Sequence, residues 1–348
     1  MEKVINGVSC RVVEKEWDVY FDMALTMFEE IVKNNQAGKP SVFIVPVGPT
    51  DQYPILAKLI NSQRVSLKNV HFFNMDEYLV SPTQWISEDD PMSFHGRMKR
   101  EFYDRVDESL VMPESQRHFP EPGHEKEYDE LIAGLGGVDM CFGGLGINGH
   151  VAFNEAAEAD DPITADAYAD LGTRVLPISR ETRAVNAFGY QRGDLAGMPE
   201  WCITVGMKQI LSSRKVYIAL NRPWQSGPLK HVLHGEMVPQ WPGSLLRGLP
   251  DVRFCMTEDI ALGDRVSNKK CHSFHLKTFF IAILRGYCHK NGKNGLLLLL
   301  RRILRLAVVF FQQQDQIPHD EDNAAPKHDD AEQQNLDAGA SVPPTIYA

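Results

Sequence analysis

Two segments of this sequence carry side chains spaced for proton transfer. In the first, His150 and Glu155 lie five residues apart within Gly143-Gly144-Leu145-Gly146-Ile147-Asn148-Gly149-His150-Val151-Ala152-Phe153-Asn154-Glu155. An imidazole titrates near neutral pH, and a carboxylate in the same pocket can orient it for acid–base work. The second segment, Val70-His71-Phe72-Phe73-Asn74-Met75-Asp76-Glu77-Tyr78, sets two carboxylates beyond an apolar run. The glycines also spell G-x-G-x-x-G at 144–149. A dinucleotide fingerprint needs a helix opening on the third glycine. Here His-Val-Ala-Phe-Asn-Glu follows and the run lies mid-chain, so nucleotide binding is not expected.

Strands must position both segments. Residues 138–142 read as a buried strand that breaks into glycines, and open α/β sheets bind ligands at the carboxyl ends of their strands. Further strands are expected at 41–47, 70–75, 174–177, 201–205, 215–220 and 252–256. Helices are expected over 12–32, after Asp51 as its cap, and over 92–106, 125–135, 180–187 and 228–234. Strands alternating with helices imply an α/β fold with a doubly wound, mostly parallel sheet.

The glycine segment is similar to the G-x-G-x-D-G-H-I-A-F-N-E loop of the glucosamine-6-phosphate isomerase/deaminase family, and Asn74-Met75-Asp76-Glu77-Tyr78 resembles that family's N-x-D-E-Y strand end. The resemblance spans roughly residues 10–262. The related 6-phosphogluconolactonases usually carry Asp-Glu-Arg and Ser-Leu-Phe-Pro at these places, so Asp-Glu-Tyr and Phe-Asn-Glu favour the amino-sugar branch. The resemblance implies a Rossmann-like three-layer α/β/α sandwich. It implies aldose–ketose isomerisation with deamination of an amino-sugar phosphate. Asp76 would transfer the proton between C2 and C1, His150 would open the ring, and Glu155 would orient His150. Glu77, Gly144, Gly146 and Gly149 would line the substrate. No cofactor is implied.

Two departures from the family pattern stand out. Asn148 occupies the place of the family's Asp, and an amide holds no negative charge. The phosphate loop reads Val47-Gly48-Pro49-Thr50-Asp51, keeping Gly48 and Thr50 but with a proline that has no N–H to donate. An ungapped match sets Phe188 and Gln225 where the family carries an Arg and a Lys. Arg183 is the expected substitute on its helix, with Lys208, Arg222 and Lys230 as other candidates by position. A 6-phosphogluconolactonase-like hydrolase and a catalytically weakened sugar-binding homologue therefore remain open.

Composition narrows the rest. A net charge of −10 argues against non-specific nucleic-acid binding. Six scattered cysteines without a C-x-x-C pair, and no opening leader pattern, point to reduced thiols in the cytoplasm. No metal-ligand pattern is evident beyond His231 and His234, which share a helix face. A homo-oligomer is left open. Residues 266–311 carry nine Lys/Arg and no Asp/Glu, while 312–348 carry eight Asp/Glu and one Lys. The leucine-rich stretch there is too charged to span a membrane. Residues 1–265 are expected to form the sugar-phosphate domain, and 266–348 a poorly ordered tail outside the fold.

Overall fold

A hairpin absent from the sequence expectation opens the chain in the computed structural model, which describes residues 2–263. The tail expectation for 266–348 lies outside the described residues. Strands β1 (Glu2–Ile5) and β2 (Val8–Val13) pair antiparallel across Asn6-Gly7. Both turn residues have positive φ, 45° and 87°. Asn-Gly favours this geometry because its twist matches that of the flanking strands. β2 takes the first residues of the helix expected over 12–32, so α1 (Glu16–Gln36) begins only at Glu16.

β3 (Ser41–Val45), α2 (Gln52–Gln63) and β4 (Val70–Asn74) follow where expected. Asp51 does not cap α2: its backbone is already helical and its side chain makes no cap hydrogen bond. One residue after β4 the chain starts a new strand, β5 (Asp76–Ser81), then a short β6 (Gln84–Trp85). α3 occupies Phe94–Glu101, shorter than the helix expected over 92–106. It starts at Ser93, whose hydroxyl accepts the Gly96 N–H, and stops at Phe102, whose φ of −132° leaves the helical region. Beyond it lie β7 (Arg117–His118), α4 (Glu125–Gly134) and β8 (Met140–Gly144). α5 (Ala165–Ala169), β9 (Arg174–Pro177), α6 (Arg180–Tyr190), β10 (Trp201–Thr204) and α7 (Met207–Leu211) come next. β11 (Val216–Leu220), α8 (Ser226–His234), β12 (Val252–Thr257) and α9 (Glu258–Gly263) complete the described chain.

Eight strands form one sheet in the order β1-β2-β12-β11-β8-β3-β4-β7. Only the β1–β2 pair is antiparallel. β3 and β11 are buried at every position, as a parallel sheet covered on both faces requires. Val42 and Ile44 of β3 pack on one face with Val216, Ile218 and α8 residues Leu229 and Val232. Phe43 and Val45 pack on the other with Met23, Met27 and Ile31 of α1 and Leu56 of α2. These are the three layers.

The expected single sheet is corrected as well. β9 and β10 do not join the main sheet; they form a separate four-stranded sheet in the order β6-β5-β10-β9, antiparallel throughout. Met75 is the joint between the two sheets. Its N–H donates to Val45 O of β3, and its carbonyl accepts the Val205 N–H just past β10.

Candidate active site

Chain order along the main sheet reverses between β3 and β8: β3 is followed outward by β4, whereas β8 is followed the other way by β11 and β12. A crevice opens at the carboxyl ends of strands where the order reverses. Both expected loops emerge there. Gly48–Thr50 leaves β3, and the 145–155 segment leaves β8. They touch: a Cβ built on Gly144 would lie 3.4 Å from Gly48 O and from Pro49 Cδ.

The loop after β8 is fixed from several sides. Asn154 is fully buried; its Nδ2 donates to Val151 O and Val205 O, and its Oδ1 accepts from Arg174 Nη1 at 2.7 Å. Tyr168 Oη donates to the carbonyls of Asn154 and Glu155. Gln225 Nε2 donates to Leu145 O at 2.8 Å. Gly149 has φ of +79°, and a Cβ there would lie 2.9 Å from Trp241 Cε3.

Within this frame His150, 9% exposed, sits in a directed hydrogen-bond chain. Asn148 Nδ2 donates to Glu155 Oε2 at 2.6 Å, and Asn148 Oδ1 lies 2.7 Å from His150 Nδ1. A carboxylate only accepts, so the amide nitrogen must face Glu155 and the amide oxygen must face an Nδ1–H. That leaves Nε2 of a neutral imidazole with its lone pair. Thr182 Oγ1 donates to the same Glu155 oxygen at 3.1 Å, and Ser179 N–H donates to Glu155 Oε1 at 3.2 Å. Ser179 caps α6, so Glu155 also lies at the positive end of a helix. Burial would push the Glu155 carboxyl up, but the approach of His150 when its ring is charged, 3.5 Å from Nδ1 to Oε2, and the hydrogen bonds from Asn148 and Thr182 outweigh it and pull it down to about 2. The imidazole lies over Gly146, where a Cβ would meet His150 Nε2 at 2.0 Å. Thr182 and Ser179 were not foreseen from the sequence; Ser-x-x-Thr at a helix start was the available signal.

Asp76 is 6% exposed at the first position of β5. It stands opposite Thr204 of β10, whose hydroxyl accepts the Phe153 N–H at 3.0 Å. Thr204 thus ties the Asp76 strand to the residue three past His150. Burial, reinforced by the Glu77 charge, raises the Asp76 pKa well above the usual carboxylate range. No hydrogen bond to its carboxylate is found among the described residues.

No protein-family model matches the chain. A glucosamine-6-phosphate deaminase of Cronobacter sakazakii is 31% identical over 224 residues, covering 62% of this chain and 76% of that protein. The glucosamine-6-phosphate deaminase of Phocaeicola vulgatus is 30% identical over 216 residues, covering 60% and 75%. The chain belongs to the glucosamine-6-phosphate deaminase family. A solved monomeric glucosamine-6-phosphate deaminase superposes with a TM-score of 0.62 at 23% identity, over 73% of this chain and 98% of its own. The 6-phosphogluconolactonase of Trypanosoma cruzi superposes at 0.53 with 16% identity, over 75% and 97%. At those identities the likeness speaks for the fold.

As a deaminase-family chain, this protein differs from the sequence expectation at its charged residues. Glu77, expected against substrate, is fully buried. Its carboxylate accepts the backbone N–H groups of Tyr78, Phe94 and His95 and the Ser93 hydroxyl. It therefore anchors the start of α3, where a negative charge complements the helix dipole. Arg183 Nη1 pairs with Glu200 at 3.1 Å. Lys208 pairs with Asp170 at 2.8 Å. Arg222 pairs with Glu16 at 3.4 Å in a cleft of about 560 Å³ that Glu14, Glu258 and Asp259 also line. Lys230 is exposed on α8. Phe188 is 85% exposed, and Gln225 braces the glycine loop as an uncharged strut. Among the described residues no group of three or more metal-binding side chains occurs, and no helix is long and apolar enough to cross a membrane.

Proposed function

We propose that this chain converts glucosamine-6-phosphate to fructose-6-phosphate and ammonia, with Asp76, His150 and Glu155 as its proton-handling groups and Asn148 as the link between the last two. The observation that carries the reading is the Glu155–Asn148–His150 chain, which leaves Nε2 of His150 as a base within the crevice. Nε2 takes the proton of the anomeric hydroxyl and returns it to the ring oxygen, so the ring opens. Asp76 then takes the proton from C2 and delivers it to C1. The C2–H electron pair forms the C1=C2 bond of an enolamine as the C1 carbonyl oxygen takes a proton from solvent; protonation of C1 turns that pair into the new C1–H bond while the nitrogen lone pair forms the C2=N bond of an iminium. Water adds to C2, the C–N bond breaks, and ammonia leaves.

A base must be strong enough to take a carbon-bound proton. Burial raises the Asp76 carboxyl, which makes its ionised form a better base. Lactone hydrolysis breaks no C–H bond and needs only one base to activate water, a task His150 can fill, so a second, strengthened base fits deamination better. The name carried by the relatives agrees. Gly48, Thr50, Gly144, Gly146 and Gly149 line the crevice in this reading, and residues 1–265 carry the activity. The buried free thiols of Cys141, Cys202 and Cys255 fit a reducing, cytoplasmic setting. The test is ammonia release from glucosamine-6-phosphate and galactosamine-6-phosphate, with 6-phosphogluconolactone as the control. Release from the amino sugars that is lost in His150→Asn supports the reading. Lactone hydrolysis without ammonia overturns it.

A further inference from the structure

Phe188 and Gln225 stand at the family's cation positions, Arg183, Lys208 and Arg222 are engaged by carboxylates, and Lys230 lies exposed on α8, yet one guanidinium is held near the Gly48 loop by another route. α6 presents Thr182, Asn186 and Tyr190 at helical i, i+4, i+8 spacing, so they share one face. That face spans the crevice. Thr182 meets Glu155 at one end, and Asn186 Nδ2 donates to Tyr78 Oη at 3.0 Å in the middle. Tyr190 Oη lies 3.4 Å from a Cβ built on Gly48 at the other end. Arg97 of α3 stacks on the Tyr190 ring, with Cζ 4.8 Å from its centroid. Gln191 Nε2 donates to Met92 Sδ at 2.9 Å, docking the end of α6 beside the start of α3.

Arg97 has no carboxylate partner among the described residues; its Nη2 makes one long hydrogen bond, to Pro91 O at 3.4 Å. An arginine lying on an aromatic face keeps its charge and most of its five donors for an anion. Tyr190 is 39% exposed, so a ligand can reach the pair.

We propose that Arg97 and Tyr190 form the anion clamp of the crevice, the Tyr190 hydroxyl donating to, and the Arg97 guanidinium charge-pairing with, a phosphate monoester seated on the Gly48–Thr50 loop. This rests on the deaminase reading for the identity of the sugar, but not for the anion. Phe188 and Gln225 cannot supply charge at the family's positions, and this pair supplies it from α3 and α6 instead. The clamp sets distance as well as charge: one helix face contacts the ring-opening network at Thr182 and the phosphate end at Tyr190, so the length of the open-chain sugar phosphate is measured along α6.

The test uses the full chain, with inorganic phosphate as the binding probe and glucosamine-6-phosphate as the substrate. Arg97→Gln is expected to weaken phosphate binding, measured by calorimetry, about tenfold or more, the size of one lost charge-assisted contact. KM should rise by a similar factor with the loss falling on KM rather than kcat, and Arg97→Lys should restore part of it. Tyr190→Leu, which removes both the ring under Arg97 and the hydroxyl, should do the same. Unchanged phosphate affinity and KM in Arg97→Gln would overturn the clamp. If the wild type binds phosphate through Arg97 but releases no ammonia, the clamp stands and the deaminase reading fails.

Discussion

Asp76 and Glu77 are neighbouring carboxylates whose environments assign them different work. Glu77 is satisfied by the start of α3, while Asp76 is buried at the crevice without a donor among the described residues. Local sequence showed both as acids at a strand end and could not separate them, because all the donors to Glu77 except the Tyr78 N–H lie 16 to 18 positions away. The raised Asp76 pKa carries a stability consequence. Its folded-state value lies above the ordinary one, so the folded protein is favoured at acid pH and loses stability as pH rises through that value. Asp76→Asn should therefore melt above the wild type at neutral pH in calorimetry, even as it loses activity. Glu155 has the opposite sign. Pulled down to about 2 from 4.5, it stabilises the fold above its ordinary value and loses that contribution as pH falls from 4.5 toward 2. At 1.36 kcal/mol per unit the contribution is roughly 3 kcal/mol. Acid titration followed by circular dichroism should show this loss in the wild type, and Glu155→Gln should be less stable at pH 6 with a flatter acid limb.

At the scale of elements, two close approaches determine where chemistry can occur. The imidazole occupies the space over Gly146 that any side chain would fill. Gly146→Ala should displace His150 and lower kcat about 100-fold, with a stability cost of about 1–3 kcal/mol for the crowding. Unchanged kcat would mean that the ring does not work from this position. The elements framing the site were mostly legible: β8, β9, β11, α4 and α8 fall within two residues of their expected bounds, since each carries a clean apolar pattern ending in a turn residue. The second sheet was not legible. β9 and β10 have four residues each, and which sheet so short a strand joins depends on tertiary pairing rather than on its own pattern. The β1–β2 hairpin was legible in principle from Asn6-Gly7, but no element was expected before residue 12, and the helix expected over 12–32 took in only the last two residues of β2.

The whole molecule adds the reversal of strand order between β3 and β8, which places the Gly48 loop beside the glycine loop although they lie about a hundred residues apart in sequence. Sequence motifs named both loops; only the topology makes them one crevice. The charge that the family pattern placed on Phe188 and Gln225 reappears across the fold, on Arg97, beyond the reach of a position-by-position match. Every residue assigned a role lies within 2–263. A chain ending at Arg265 should therefore keep ammonia release within about twofold of the full chain, and a tenfold loss would place part of the function beyond that point. The most direct measurement is the rate of ammonia and fructose-6-phosphate formation from glucosamine-6-phosphate by the wild type and by Asp76→Asn. The expected result is equimolar release of both products by the wild type and a fall of about 10³ in kcat in the folded variant, within the range for loss of a general base. Equal rates in the two proteins, or no ammonia from a folded wild type, would contradict the proposed reaction.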